Sequence, residues 1–206
     1  SVSQWNWKRK KRPPLEYQLP IIDKEIRSVN LYLDEIDRSL NWAGCDERYI
    51  LAGNHDEWLD SFVETYPYLK GYTFKEACRW DERGYEYRPY NKPLKIGKLV
   101  MVHGSFCSTH HAKKHLQTYG CSILYGHTHD IQRYTMTRYE DGTIGAWSLG
   151  CIKDMSAEAN QWLRGRLNNW GHAFAVVDFF TDGNFKIEVV EIINGRTTLW
   201  GEIIEG

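Results

Sequence analysis

Histidine recurs in three short loops of this chain: in Gly53-Asn54-His55-Asp56, in Val102-His103-Gly104, and twice in Gly126-His127-Thr128-His129. Imidazole nitrogen and amide oxygen are suitable ligands for zinc, manganese or iron. Gly53, Gly104 and Gly126 flank these polar residues, permitting tight turns and close approach of the backbone to a ligand. Any one of the motifs occurs by chance, and a lone histidine is ordinarily a surface group or a satisfied core group. The three together, in this order and each after a short apolar run, point to a metal site.

Those runs, Arg48–Ala52, Leu99–Val102 and Cys121–Tyr125, read as buried strands. In α/β sheets functional groups gather at the carboxyl ends of strands, which is where all three loops fall. A helix is expected from Pro20, because Ile22, Ile26, Val29, Leu33, Ile36 and Leu40 share one face, and Asn41 to Gly44 end it. Further helices are expected from near Glu57 to Tyr66-Pro67, from Lys75 to Arg79 and from Thr109 to Tyr119. The last carries His110, His111 and His115, read as surface or supporting groups rather than ligands. Strands are expected at Tyr85–Tyr90 and at Leu94–Ile96, which a Gly97-Lys98 turn joins to Leu99–Val102. From Ile131 the pattern changes to strands at 131–138, 143–149, 173–180, 185–193 and 197–200. Glu140-Asp141-Gly142, Thr181-Asp182-Gly183-Asn184 and Asn194-Gly195 sit between them as hairpin turns. The chain is therefore read as α/β, alternating in its first half and mostly antiparallel in its second, without internal repeats.

The 206 residues, 42% of them hydrophobic, suffice for one core, and a single domain is the expectation. A net charge of -1 gives no global attraction to nucleic acid or membrane, so such binding would need a local patch. No apolar run approaches the ~20 residues of a membrane helix, and the basic N-terminus lacks the apolar stretch of a signal peptide, so a cytoplasmic protein is expected. The five cysteines are scattered with no C-x-x-C pair, which reads as free thiols in a reducing compartment. A basic run from Lys8 to Arg12 would steer anionic substrates if it flanked the cleft, and is otherwise a solvated loop. Trp5, Trp7 and Trp170 could stack bases, although packing is their ordinary role.

Taken in series, Gly-Asn-His-Asp, Val-His-Gly and Gly-His-Thr-His resemble the C-terminal motifs of the calcineurin-like metallophosphoesterases. The phage and prophage branch is the closer resemblance. Its Ser-Val-Ser-x-Trp stretch is matched at Ser1 to Trp5, and its Asn-Asn-Trp-x-His-x-Phe-Ala-Val-Val-Asp stretch at Asn168 to Asp178. The resemblance implies two facing mixed β-sheets flanked by helices, an αββα sandwich, with the cleft at the carboxyl-end rim. It implies that Asn54, His103 and His127 bind one divalent ion and that His129 binds a second. Manganese is the first expectation, with zinc, iron and nickel as alternatives. His55 would contact the scissile phosphate and protonate the leaving oxygen, and Asp56 would orient His55. Lys8, Arg9, Lys10, Trp5 and His172 are weaker candidates for contacting substrate.

The family's pattern begins with an Asp-x-His motif and a Gly-Asp-x-x-Asp motif, and neither occurs in this sequence. The expectation is that a companion N-terminal segment supplies those carboxylates and the sheet's N-terminal strands. The implied function is metal-dependent hydrolysis of phosphate esters, with phosphodiesters of nucleic acids or nucleotides as the preferred substrate. A catalytically inactive, nucleic-acid-binding or structural phage protein on the same scaffold is the alternative.

Overall fold

The computed structural model describes residues 14–140, 142–166 and 168–206. Trp5, Trp7 and the basic run containing Lys8, Arg9 and Lys10 lie outside the described residues, as does Asp141 of the 140–142 turn. The fold is mixed α/β. The described residues divide into two compact units, one ending at Lys92 and the other spanning Pro93–Gly206.

The first unit is built around helix α1 (Leu15–Trp42), which begins five residues before the expected start at Pro20. An interior proline removes a helical hydrogen bond and costs about 3 kcal/mol. Packing carries the helix across it: Leu15, Leu19, Ile22 and Ile26 join one apolar cluster with Phe62, Val63 and Leu69, and Ile22 is only 2% exposed. Arg83 fixes the other end of α1. Its guanidinium donates to Asp34 at 2.6 Å, to the Asn30 side-chain oxygen at 2.9 Å and to Asp37. Asp34 and Asp37 thus have a structural role. Strand β1 (Tyr49–Leu51) pairs in parallel with β2 (Glu86–Arg88). Helix α2 (Asn54–Thr65) follows β1, and a 3-10 turn (Pro67–Tyr72) leads to the short helix α3 (Phe74–Ala77).

The second unit contains a five-stranded sheet of order β3-β4-β5-β7-β6. Its strands are β3 (Leu94–Ile96), β4 (Leu99–Val102), β5 (Ser122–Tyr125), β6 (Ile131–Arg138) and β7 (Gly142–Leu149). The three central strands β4, β5 and β7 run parallel, and β3 and β6 flank them antiparallel. Helix α4 (His111–Tyr119) contributes Ala112 and Leu116 to a core shared with Val102, Ile123, Tyr125 and Ala146. Gly120, left-handed at φ 64°, ends α4 and turns the chain into β5. Two hairpins complete the unit: β8 (Ala173–Phe179) with β9 (Phe185–Glu191), and β10 (Arg196–Leu199) with β11 (Glu202–Glu205). Strand β11 has no counterpart in the sequence reading. Its turn, Trp200-Gly201, has φ of 52° and 83°, the type I′ geometry that Asn-Gly usually announces. The five cysteines form no disulfide, and no described helix is long and apolar enough to cross a membrane.

Candidate functional site

In the first unit, Gly53 adopts an extended conformation and Asn54 begins α2, so Asn54, His55 and Asp56 form the first turn of a 12-residue helix. The expected start, near Glu57, lies three residues too late. Asp56 explains the earlier start. Its carboxylate accepts from the Gly53 N–H at 2.7 Å, the reach-back bond of a capping box, which satisfies a backbone donor at the helix entrance. The hydrogen bond of Asp56 therefore holds the helix entrance that carries His55. Burial raises the Asp56 pKa, and the Gly53 bond opposes the rise. The His55 ring stacks on Trp58 at 4.4 Å, and burial lowers its pKa. A mainly apolar cavity of about 300 Å³ reaches His55 and Asp56 between α1 and α2.

In the second unit, the loops after the parallel neighbours β4 and β5 leave the sheet at one edge, and this brings His103 and His127 together. The His127 Nδ1 lies 3.2 Å from the His103 Nε2, and the Gly126 N–H donates to the His103 carbonyl at 3.0 Å. Close approach depends on Gly104, whose φ is 104°: a Cβ there would lie 3.0 Å from the Tyr125 ring and 3.1 Å from the His127 Cβ. His127 and His129 themselves adopt left-handed φ of 73° and 63°. Such conformations are uncommon outside glycine and persist where the surroundings over-determine them. Here the surroundings are dense. Thr128 N–H bonds the Gly126 carbonyl, Gly171 N–H bonds the His129 carbonyl, and the Ser148 hydroxyl donates to the Asp130 carbonyl at 2.7 Å. The His129 ring meets the edge of Trp170 at 5.1 Å.

Beneath these loops α4 supplies two braces. His111 Nε2 contacts the Asp130 carboxylate at 2.9 Å, and its Nδ1 contacts the Tyr125 hydroxyl at 2.6 Å. Both bonds are satisfied when Nε2 donates to the carboxylate and Nδ1 accepts from the phenol. His115 Nδ1–H donates to the His111 carbonyl, and its Nε2 accepts the Ser105 N–H at 3.1 Å. One histidine thus anchors the His127–His129 loop through Asp130, and the other anchors the loop after His103. Asp130 also accepts from Asn169 and Gln132. Burial alone would raise its pKa, but hydrogen bonds from Thr128 and His111 more than offset this and leave it lowered. Burial pushes His115 down to about 4.

Asp130, Lys153 and Trp162 were not singled out by the sequence. Asp130 directly follows Gly-His-Thr-His, and that adjacency is the signal that could have found it. Lys153 lies over the Trp170 ring at 4.6 Å and the Trp162 ring at 5.7 Å, in an irregular segment with no periodicity to read. His172 pairs with Cys151 as an isolated bridge, and its buried Nε2 has no hydrogen-bond partner among the described residues.

Among the described residues, no group of three or more His, Cys, Asp and Glu side chains is gathered as a metal site. The donors that do meet are an imidazole pair. Two nitrogens each ~2.1 Å from one ion, at an angle of ~100°, would be ~3.2 Å apart. The 3.2 Å between His103 and His127 is a hydrogen bond between the two rings, and the same spacing is compatible with neighbouring ligands of one ion.

Comparison with known proteins gives two phage relatives, the Gene 54 proteins of Mycobacterium phage L5 and Mycobacterium phage D29. Each is 27% identical over an alignment of 168 positions that takes in 74% of this chain. The match spans 64% of the length of each relative. No family model and no solved structure matches the chain.

Proposed function

We propose that this chain carries part of a metal-dependent phosphoesterase site on an αββα scaffold, acting on phosphodiester bonds of nucleic acids or nucleotides. The observation that supports this reading is the approach of His103 and His127 across neighbouring parallel strands, in loops braced from below. Asn54, His103 and His127 would hold one divalent ion, manganese first, and His129 would face a second. When bound, such a pair supplies positive charge to the phosphate and an activated water. His55, on the first turn of α2, would donate its proton to the leaving oxygen. The first-turn N–H groups of that helix favour the phosphate itself. Asp56 would act through the backbone, by fixing the Gly53–His55 entrance.

These four ligands are all neutral, whereas two divalent ions repel strongly at ~3.5–4 Å. The reading therefore places bridging carboxylates on a companion segment. The test is hydrolysis of bis(4-nitrophenyl) phosphate with added manganese, and bound metal by mass spectrometry, for the chain with its upstream coding region. Metal-dependent turnover that His127→Ala abolishes is expected. Absence of both turnover and bound metal would instead favour the non-catalytic reading.

A further inference from the structure

The parallel strands β4 and β5 have a second end, some four residues or ~13 Å from the histidine loops. At that opposite rim lies a cavity of about 880 Å³. Lys95 and Lys98 reach it from the β3–β4 hairpin, Arg133 and Arg138 from β6, and Lys186 from β9. Among the described residues, Glu140 is the one carboxylate residue in its lining. None of Lys95, Lys98, Arg133 and Lys186 forms an ion pair among the described residues, although Asp182 lies close enough to Lys98 to feel its charge and Asp178 sits opposite Lys186 in the ladder. Even with those two counted, cations outnumber carboxylates among the described residues. The chain as a whole is balanced, so this excess is local.

Backbone contacts tie the frame of this groove together. The Lys98 N–H bonds the Gly183 carbonyl at 2.8 Å, and a Cβ on Gly97 would fall 2.6 Å from that same oxygen. The β3–β4 and β8–β9 turns are thus locked against each other, and Lys98 reaches across to Asn184 at 3.0 Å. The Arg133 guanidinium lies over Trp147, whose ring is packed edge-on by Phe185. Arg133 and Arg138 stand five residues apart on one strand, or roughly 17 Å, and the odd spacing turns their side chains to opposite faces of the sheet, so the cations are spread around the rim. A single phosphate could meet only one or two of these cations. A polymer with a charge at every unit could meet them all.

We propose that this rim groove binds the phosphodiester backbone of a nucleic acid, as an anchoring site separate from the histidine loops. The proposal stands whether or not those loops hydrolyse phosphate esters. It is tested by fluorescence anisotropy with 20-nucleotide single-stranded and duplex DNA, in EDTA, over a range of salt concentrations. A K95Q/R133Q/K186Q variant should bind at least tenfold more weakly. For three lost contacts, the slope of log K against log salt should fall by about 2 for single strands and nearer 3 for duplex. A K24Q/K70Q/K114Q variant, equal in charge change and outside the groove lining, should bind as the unaltered protein does. Melting temperatures establish that both variants fold, and single K95E and K186E changes replace the triple if it does not. An unchanged slope in the groove variant, equal loss in the control variant, or equal competition by polyglutamate would each overturn the proposal.

Discussion

The His127 Nδ1 stands 3.2 Å from the His103 Nε2, closer than their separation of 24 residues would suggest, because β4 and β5 lie side by side and parallel. If this pair holds metal and His55 does not, the two kinds of histidine should separate experimentally. On the proposed phosphoesterase reading, His127→Ala should remove bound metal and turnover together. His55→Ala should keep the metal and lower turnover by roughly 10²–10⁴-fold, the range for a lost general acid. Metal analysis beside kinetics reads both, and the reverse pattern would exchange the roles.

Gly104→Ala tests whether the approach of the two histidines needs a residue without a side chain. The new methyl would meet the Tyr125 ring at 3.0 Å and the His127 Cβ at 3.1 Å, on a backbone with φ of 104°. Strain and overpacking each cost about 1–3 kcal/mol. A lower urea midpoint and weaker manganese binding are expected. Unchanged metal affinity in a destabilised variant would mean that Gly104 serves the fold alone.

Much of this arrangement is legible in the sequence, and the reasons differ by element. Strands β3, β4 and β6 fall where alternation and turn residues put them, because short apolar runs bounded by Gly97-Lys98 or a Gly-rich loop have few other solutions. Helix α1 begins ahead of Pro20, a helix boundary by local rules, because the packing of Leu15 and Leu19 overrides those rules. His111 and His115 carried helical spacing, but nothing local said that they face inward. Their burial depends on Asp130, Tyr125 and Ser105, partners supplied by other elements. The Lys153–Trp162–Trp170 cluster comes from an irregular segment and left no pattern at all.

Asp130 holds three side chains in place at 2% exposure, so truncating it should be costly. Asp130→Ala strands the buried donors of His111 and Asn169, each worth about 1.5–3 kcal/mol when bonded to a charged group. Asp130→Asn retains shape and one acceptor and should cost less. Urea denaturation should rank them wild type above Asn above Ala, and metal binding by the adjacent His127–His129 loop should follow the same order. Equal stability for all three would show that the carboxylate carries none of the load.

His115 predicts how stability should depend on pH. It is fully buried, its Nε2 accepts the Ser105 N–H, and burial holds its pKa at about 4 against 6.5 for a free imidazole. Above about 6.5 both folded and unfolded chains keep the ring neutral, so its bonds contribute in full. As the pH falls below 6.5 the unfolded chain takes up a proton that the folded chain refuses. Stability should then decline by up to about 1.4 kcal/mol per pH unit for this one group, levelling off below about 4. His115→Leu should be less stable than wild type at pH 7.5, because Ser105 loses its acceptor, yet its stability should fall less steeply between pH 6.5 and 4.5. Urea unfolding at several pH values measures both slopes. Parallel slopes for the two proteins would place the acid sensitivity elsewhere, whereas a flatter line for the leucine variant would assign it to the ring that accepts from Ser105.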